Sequence, residues 1–520
     1  MPVQRLSGLD AAFLYLETPS TPMHTMAVLL LGARRPPLTI DSIRSLLLER
    51  MHHLPALRQR VLDVPFGLDH PVLVDDPDFD IHNHLWHIHW DEPGTLEDVD
   101  WAAGALAARL LDRRRPLWQA CWFDELEDGG SALVFKVHHA LIDGVSSAEF
   151  MGHLMDTRPV RPADALRARS KSGPDSAVPL PRPTTLAVRA LQNQTRKSLA
   201  AARGLAGLSR EIRVRWRERP GDGSRARTRT AADWLSPPTH FNGSLSRQRA
   251  VSRASASLEE FRVVKQAFDS TVNDVLLAAV SLAFARYFSV RGGAPARPLR
   301  AAIPVSTRGQ ERSVGGNRVS TLFVDLPIHL SSAESVIRAV RGATRNAKRA
   351  HAALPAGFME TALEYAPPPA LKWIARQHER LGLADRHRPL CNLIVSNFPG
   401  PQIPLYCAGA SVRAAYPYGP LMNGSGLNLT VMSYNGRMDL GLISCPRRMP
   451  EAAIFVADLV RAVGTLCEAA QRVTRPSIRP VERKPSIRRS ARRQPLAKIK
   501  LANARDRRGS GSAQSAAVGP

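Results

Sequence analysis

The chain has 520 residues, 44% of them hydrophobic and 22% charged, a globular composition too long for one small core, so two domains are expected. Its formal charge of +25 is uneven: residues 161–230 carry 17 basic and 5 acidic side chains, and residues 476–520 carry 12 and 2, which leaves the rest near neutral. The five cysteines, Cys121, Cys391, Cys407, Cys445 and Cys467, are odd in number and form no CxxC pair, which argues against a disulfide framework and against a zinc site, so no metal is expected.

The opening MPVQRLSGLDAAFLYLE meets an acid at Asp10 before an apolar run develops, so it does not read as a secretion signal. No unbroken apolar run approaches the ~20 residues needed to span a bilayer. The chain is therefore expected in the cytoplasm, with no transmembrane helix. Residues 1–160 alternate apolar runs such as MAVLLLGA with helical stretches such as SIRSLLLERMHHL and read as an α/β domain. Near its end SALVFKV (131–137) predicts a strand and VSSAEFMGHLMD (145–156) a helix, with HHALIDG on the connection.

Residues 161–240 shift to Arg, Pro, Ser and Gly and read as a basic linker. Within it, 184–219 reads as one amphipathic helix, with Leu191, Leu199, Leu205, Leu208, Ile212 and Trp216 on its apolar stripe. Two readings stand side by side: a helix lying in a membrane interface, or one docked on the body with its basic face in water. A second α/β domain is expected over 241–475. It contains NDVLLAAVSLAFARYF (273–288), apolar nearly all round and hence buried, and a hairpin in which GLNLTVMSY and RMDLGLI flank Asn435-Gly436. The tail 476–520 has too few large apolar residues to fold and is expected to be disordered.

The chemistry points to HHALIDG. Histidine is the side chain best suited to accept a proton near neutral pH. His138 and His139 point in opposite directions if the segment is extended, so they are not expected to share one role. Asp143 can fix the loop, and Gly144 lets the backbone turn into the next helix without crowding. The same letters also suit a plain turn with a capping Asp.

KVHHALIDGVSS resembles the HHxxxDG signature of the coenzyme A-dependent acyltransferase superfamily. A finer resemblance, to the bacterial wax ester synthase/diacylglycerol acyltransferase family, runs in order along most of the chain. It is carried by LSGLDAAFLYLETPSTPMHTMAVLLL (6–31), RPLW (115–118), the ND helix, GNRVSTLFVDLP (316–327), NLIVSNFPGPQIPLYCAGA (392–410) and GLNLTVMSYNGRMDLGL (426–442). Ser147 departs from the Gly often found there.

That resemblance implies two chloramphenicol acetyltransferase-like α/β domains, each a mixed sheet flanked by helices, with the active-site tunnel between them. It implies transfer of a long acyl chain from acyl-coenzyme A, a substrate rather than a cofactor, to diacylglycerol, giving triacylglycerol. His139 would act as general base, with His138, Asp143 and Gly144 in support. Asn273 has two readings: a helix N-cap with Asp274 in the first turn, or a donor to the oxyanion. Pro116, Leu117 and Trp118 read as packing, with an alternative place in the acyl tunnel; Arg308 and Arg318 are candidates for coenzyme A phosphates. The alternatives are a wax ester synthase acting on fatty alcohols and a non-catalytic lipid-binding homologue. The basic linker and tail are expected to meet the inner membrane face or lipid droplets, with nucleic acid disfavoured because aromatic residues are not interleaved with the arginines.

Overall fold

Runs rich in Val, Leu and Phe become strands, and turn residues between them set the pairing. A computed structural model describes residues 3–141, 147–159, 180–194, 235–306, 319–352 and 358–474. In chain order its strands are β1 (Gln4–Arg5), β2 (His24–Leu31), β3 (Gln59–Leu62), β4 (Val72–Asp75), β5 (Leu85–Ile88), β6 (Trp118–Phe123), β7 (Ser131–His138) and β8 (Ala250–Ser257). They continue with β9 (Leu299–Ser306), β10 (Val319–Leu326), β11 (Leu393–Pro399), β12 (Tyr406–Cys407), β13 (Ala410–Tyr418), β14 (Leu427–Tyr434) and β15 (Arg437–Ser444).

Two six-stranded mixed sheets dominate, in the orders β12-β13-β2-β7-β6-β5 and β10-β9-β11-β14-β15-β8, so the expected α/β class with two sheets is found. A small sheet, β1-β4-β3, lies apart from them. The first large sheet is not made from the first 160 residues alone. The distant strand β13 runs antiparallel to β2, pairing Tyr418 with Met26 and Ala415 with Leu29.

β13 also touches the second sheet. The buried carboxylate of Asp439 on β15 accepts from the Ala415 amide (2.9 Å) and the Ser255 hydroxyl (2.6 Å), so one side chain ties three strands. Two residues further on, a Cβ at Gly441 would lie 2.0 Å from the Pro417 carbonyl oxygen. Only glycine lets these backbones approach so closely. The hairpin forms as expected, with Asn435 (φ 43°) and Gly436 (φ 80°) both in the left-handed region of a tight turn and Tyr434 paired with Arg437.

The helix Val272–Val290 is long and apolar enough, by length and composition, to cross a membrane. It is a core helix instead: Val275 to Ser281, Phe284 and Phe288 are buried, packed with Phe241, Phe261 and Phe455 under the second sheet. The five cysteines are free thiols, in keeping with the absence of a disulfide framework.

Of the linker, residues 183–194 are described and helical. Leu186 and Ala190 pack against Val64, Val72 and Val74 of the small sheet, and Asn193 donates to Asp69 (3.2 Å). This segment is docked on the body. Leu191, assigned from the sequence to the apolar stripe, is 56% exposed, because the buried face here is set by Leu186 and Ala190. Residues 195–219 of that expected helix and the tail 476–520 lie outside the described residues.

Candidate active site

β7 delivers the two histidines to different surroundings. His138 is the last residue of the strand, its amide donating to the Leu117 carbonyl (2.9 Å). His139 opens a 3₁₀ turn, His139–Leu141, its amide donating to the Met23 carbonyl (2.8 Å). The extended run stops at that peptide, so the turn from strand into 3₁₀ conformation, rather than strand alternation, gives the two rings different surroundings.

His138 is fully buried. Its Nδ1 accepts from the Ala140 amide (3.1 Å), so in the neutral ring the proton sits on Nε2, which faces Glu17 Oε1 at 3.4 Å. His24, paired with His138 across β2 and β7, brings its own Nε2 to the same oxygen at 3.2 Å. These are ion-pair separations rather than well-aligned hydrogen bonds, since neither Nε2 finds a partner of good geometry.

Glu17 caps the end of the helix Gly8–Leu16, with its side chain only 3% exposed. Oε1 also accepts from the Met23 amide (3.2 Å), and Oε2 accepts from Arg113 (2.8 Å), which donates as well to the Leu14 carbonyl (2.7 Å). Burial alone would raise this carboxyl, but the His138 and His24 contacts outweigh it and hold Glu17 well below the usual carboxylate range. Desolvation pushes His24 down to about 4 and lowers His138, so both rings stay neutral beside the anion.

The cradle continues toward His139. Its ring stacks on Phe13 of the helix Gly8–Leu16, centroids 4.0 Å apart and planes 20° off parallel. Nδ1 is buried without a hydrogen-bond partner among the described residues, while the residue as a whole keeps partial solvent contact. Desolvation, reinforced by the neighbouring His138, pushes its pKa down to about 4. The imidazole is therefore neutral, able to accept a proton through its open edge.

The supporting helix is itself fixed by its sequence. Ser7 is its N-cap, accepting from the Asp10 amide (3.1 Å), and the Gly8 amide donates to Glu364 (2.8 Å). A Cβ at Gly8 would stand 2.4 Å from the Glu364 backbone, so this glycine permits a close crossing with the helix Phe358–Tyr365. On the far side of β7, Lys136 is buried and donates to the Leu106 and Arg109 carbonyls (2.9 Å each) at the end of the helix Leu96–Ala108.

The other residues singled out from the sequence divide into three groups. Trp118 is core, as packing predicts: its indole donates to the Leu57 carbonyl (2.7 Å) and stacks on His84 and Phe135. Asn273 is not the helix cap. Thr271 takes that role, because its extended backbone lets the hydroxyl accept from the Asp274 amide while Asp274 accepts from Thr271, a reciprocal capping box. Asn273 accepts instead from Asn397 of β11 (2.9 Å), which fixes the orientation of its amide. Asp143, Gly144, Arg308 and Arg318 lie outside the described residues.

Sequence reasoning missed Glu17, His24, Arg113 and Phe13. Three of them lie inside the stretch LSGLDAAFLYLETPSTPMHTMAVLLL, where one of its two acids, Glu17, and its one histidine, His24, in an apolar context were the available signal.

The chain matches the family model of the wax ester synthase/diacylglycerol acyltransferase catalytic domain over residues 6–276, and that family's C-terminal domain over 315–466. It is 34% identical over 469 residues to a protein of Mycobacterium tuberculosis (strain CDC 1551 / Oshkosh) provisionally named a diacylglycerol O-acyltransferase, covering 86% of this chain and 87% of that one. Among solved structures it resembles the wax ester synthase/diacylglycerol acyltransferase of Marinobacter aquaeolei VT8, with a TM-score of 0.61, 23% identity, and coverage of 90% of this chain and all of that one. The first condensation domain of the calcium-dependent antibiotic synthetase shares the fold at a TM-score of 0.51 and 17% identity, over 90% of this chain and 96% of that domain.

Proposed function

This chain belongs to the wax ester synthase/diacylglycerol acyltransferase family, and within it we propose a diacylglycerol O-acyltransferase that makes triacylglycerol from long-chain acyl-coenzyme A, with His139 as general base. The observation that carries the proposal is the neutral, half-open His139 imidazole, braced by Phe13 and by the Met23 carbonyl.

Nδ1 is sealed from solvent, so proton exchange with a substrate falls to Nε2. Nε2 takes the hydroxyl proton as the alcohol oxygen attacks the thioester carbonyl. The tetrahedral intermediate then collapses, the carbon–sulfur bond breaks, and His139 returns the proton to the departing thiolate. No covalent acyl-enzyme is required. The thioester is already activated, so alignment of the two substrates and a correctly placed base supply the acceleration. His138, Glu17 and His24 act as positioning residues: they fix the end of β7 and hence where His139 starts. The Asn273 amide, oriented by Asn397, is offered as a donor to the developing oxyanion.

The acceptor assignment rests on the names of the mycobacterial relatives, and the coenzyme A ester is taken as substrate with no resident cofactor. We place the protein in the cytoplasm at the inner membrane face or on lipid droplets, held by the basic linker and tail, because its proposed substrates dissolve in lipid. The deciding measurement supplies labelled acyl-coenzyme A to the purified chain with diacylglycerol and with a fatty alcohol in parallel. Triacylglycerol is expected as the dominant ester. Wax ester as the sole product reverses the acceptor assignment, and no ester from either acceptor removes the enzyme reading.

A further inference from the structure

Two clusters among the described residues bring three nitrogen or oxygen ligand atoms within 4.8 Å of one another. The first, Glu17, His24 and His138, belongs to the active-site cradle and is unsuited to a metal. The Ala140 amide occupies His138 Nδ1, which leaves the proton on Nε2, the atom that faces the cluster. A protonated nitrogen has no lone pair to give.

The second cluster, His87, His89 and Asp124, has no such obstacle. β5 runs parallel to β6 with His87 beside Trp122 and Ile88 beside Phe123. That register, continued one residue beyond each strand, sets His89 level with Asp124. Residues 87, 89, 122 and 124 then share one face of the sheet. Asp124 Oδ2 lies 2.8 Å from His87 Nε2 and 3.0 Å from His89 Nδ1. The His87 ring is laid flat on Trp122, centroids 4.6 Å apart, so its direction is fixed before any ligand arrives. Asp124 accepts from His89 Nδ1 through both oxygens (3.0 and 3.1 Å), and no backbone amide among the described residues holds either converging nitrogen, so an arriving cation can displace the proton to the other nitrogen of the ring. Ligand atoms on one tetrahedral zinc ion, with bonds of about 2.0–2.1 Å, stand roughly 3.3 Å apart. The separations from Asp124 need to open by only a few tenths of an ångström.

An independent observation favours a cation here. In a chain of net charge +25, segments 85–108 and 116–135 contain nine acidic residues and no Lys or Arg. Gly94 joins them, its amide donating to the Glu125 carbonyl (3.0 Å) and its carbonyl accepting from the Glu127 amide (3.1 Å), so the two acidic loops lie side by side. Asp100 and Asp128 are paired with Arg253 and Arg413, and the other seven acids leave these two segments net negative in a chain that is positive as a whole.

We propose that His87, His89 and Asp124 form a surface site for a borderline divalent transition ion of the zinc class, clamping the edge strand β5 to β6. Two imidazoles and one carboxylate suit that class, and the solvent side leaves a fourth position for water. The missing cysteine pairs do not bear on a site of this donor set. The ion is structural rather than catalytic. β6 and β7 are antiparallel, with Trp118 opposite Val137 and Phe123 opposite Ala132, so Asp124 sits at the end of the sheet away from His139. Ser131, level with Asp124, stands eight residues before His139 along β7, roughly 26 Å.

The test is a Zn²⁺ titration by calorimetry on the full, untagged chain after treatment with a chelator, with visible absorption of Co²⁺ as a second readout. One ion per chain is expected, with tetrahedral cobalt bands and a rise in thermal midpoint on adding Zn²⁺. Each of His87→Ala, His89→Ala and Asp124→Asn should weaken binding by about tenfold or more, and should abolish the rise in midpoint. All three side chains reach solvent, and circular dichroism of the metal-free variants verifies that they fold. No saturable binding overturns the proposal. So does equal binding by the His87→Ala/His89→Ala double variant, and so does binding lost only in His24→Ala, which would assign the ion to the buried cluster.

Discussion

The two large sheets have the same number of strands and differ in what they bury. Under the second sheet, the helix Val272–Val290 meets Phe241, Phe261 and Phe455 in a core built almost wholly of hydrocarbon and aromatic rings. Along the first sheet, β2 and β7 bury His24 and His138 against the carboxylate of Glu17, and Lys136 against the Leu106 and Arg109 carbonyls. Removing ionisable groups from water costs free energy that apolar side chains of similar volume do not incur. The helix-covered face of the second sheet thus acts as scaffold, with the buried Asp439 on its other face toward β13, while the first sheet sets ionisable groups where they fix a histidine for chemistry.

Removing the base gives the sharpest test of that contrast. His139→Ala should lower kcat/KM by about 10²–10⁴-fold. The midpoint of thermal unfolding should stay close to wild type, since the ring makes one stacking contact and satisfies no partner through Nδ1. Activity within a few-fold of wild type would move the base elsewhere.

Glu17→Ala and Phe284→Ala test the two interiors against each other. Deleting the carboxylate leaves the Met23 amide and the two imidazole edges without their acceptor and loosens the part-exposed Arg113, a loss of about 1–3 kcal/mol. Deleting the buried Phe284 ring leaves a cavity among Phe241, Phe288 and Phe455 at a larger cost, about 3–5 kcal/mol. Denaturant unfolding should rank Phe284→Ala as the less stable, but turnover per folded molecule should fall only for Glu17→Ala. Glu17→Gln, which keeps the shape and one acceptor, should recover part of that turnover. Equal turnover in Glu17→Ala and Phe284→Ala would reduce Glu17 to a packing residue.

Local structure was the part most legible from the letters. A short apolar run with β-branched and aromatic residues marked β7, the Asn435-Gly436 pair marked its hairpin, and the all-round apolar run at 273–288 lay in the core. Tertiary placement was less legible. Nothing local in ASVRAAYPY says that β13 will cross to pair with β2, and nothing near HHALIDG points back to Glu17 or His24. Those contacts exist because β2 and β7 are neighbours, a fact of topology. The helix cap differs for a simpler reason. Thr271 and Asp274 form the reciprocal pair two positions ahead of Asn273, and Asn and Thr both rank among favoured cap residues, so residue type alone does not choose between them.

Acid should weaken the interior that holds the histidines and spare the hydrocarbon one. His24 and His139 are held at about 4 and His138 is lowered, in each case chiefly because burial penalises the charged ring. Histidine in an unfolded chain takes up its proton near 6.5. Between about pH 6.5 and 4 the unfolded state therefore binds protons that the native state refuses, and stability falls with a slope of about 1.4 kcal/mol per pH unit for each such ring. Above that window both states hold the rings neutral, and these groups contribute no slope. Activity should follow the native pKa instead. With His139 already neutral, kcat/KM should be flat from pH 8 down through 6 and decline only on approaching 4, measured on brief exposure so that folded enzyme is assayed. An acid limb centred on the ordinary histidine value would mean that the base is a well-solvated ring, and that the stacking on Phe13 and the burial beside His138 do not govern its proton.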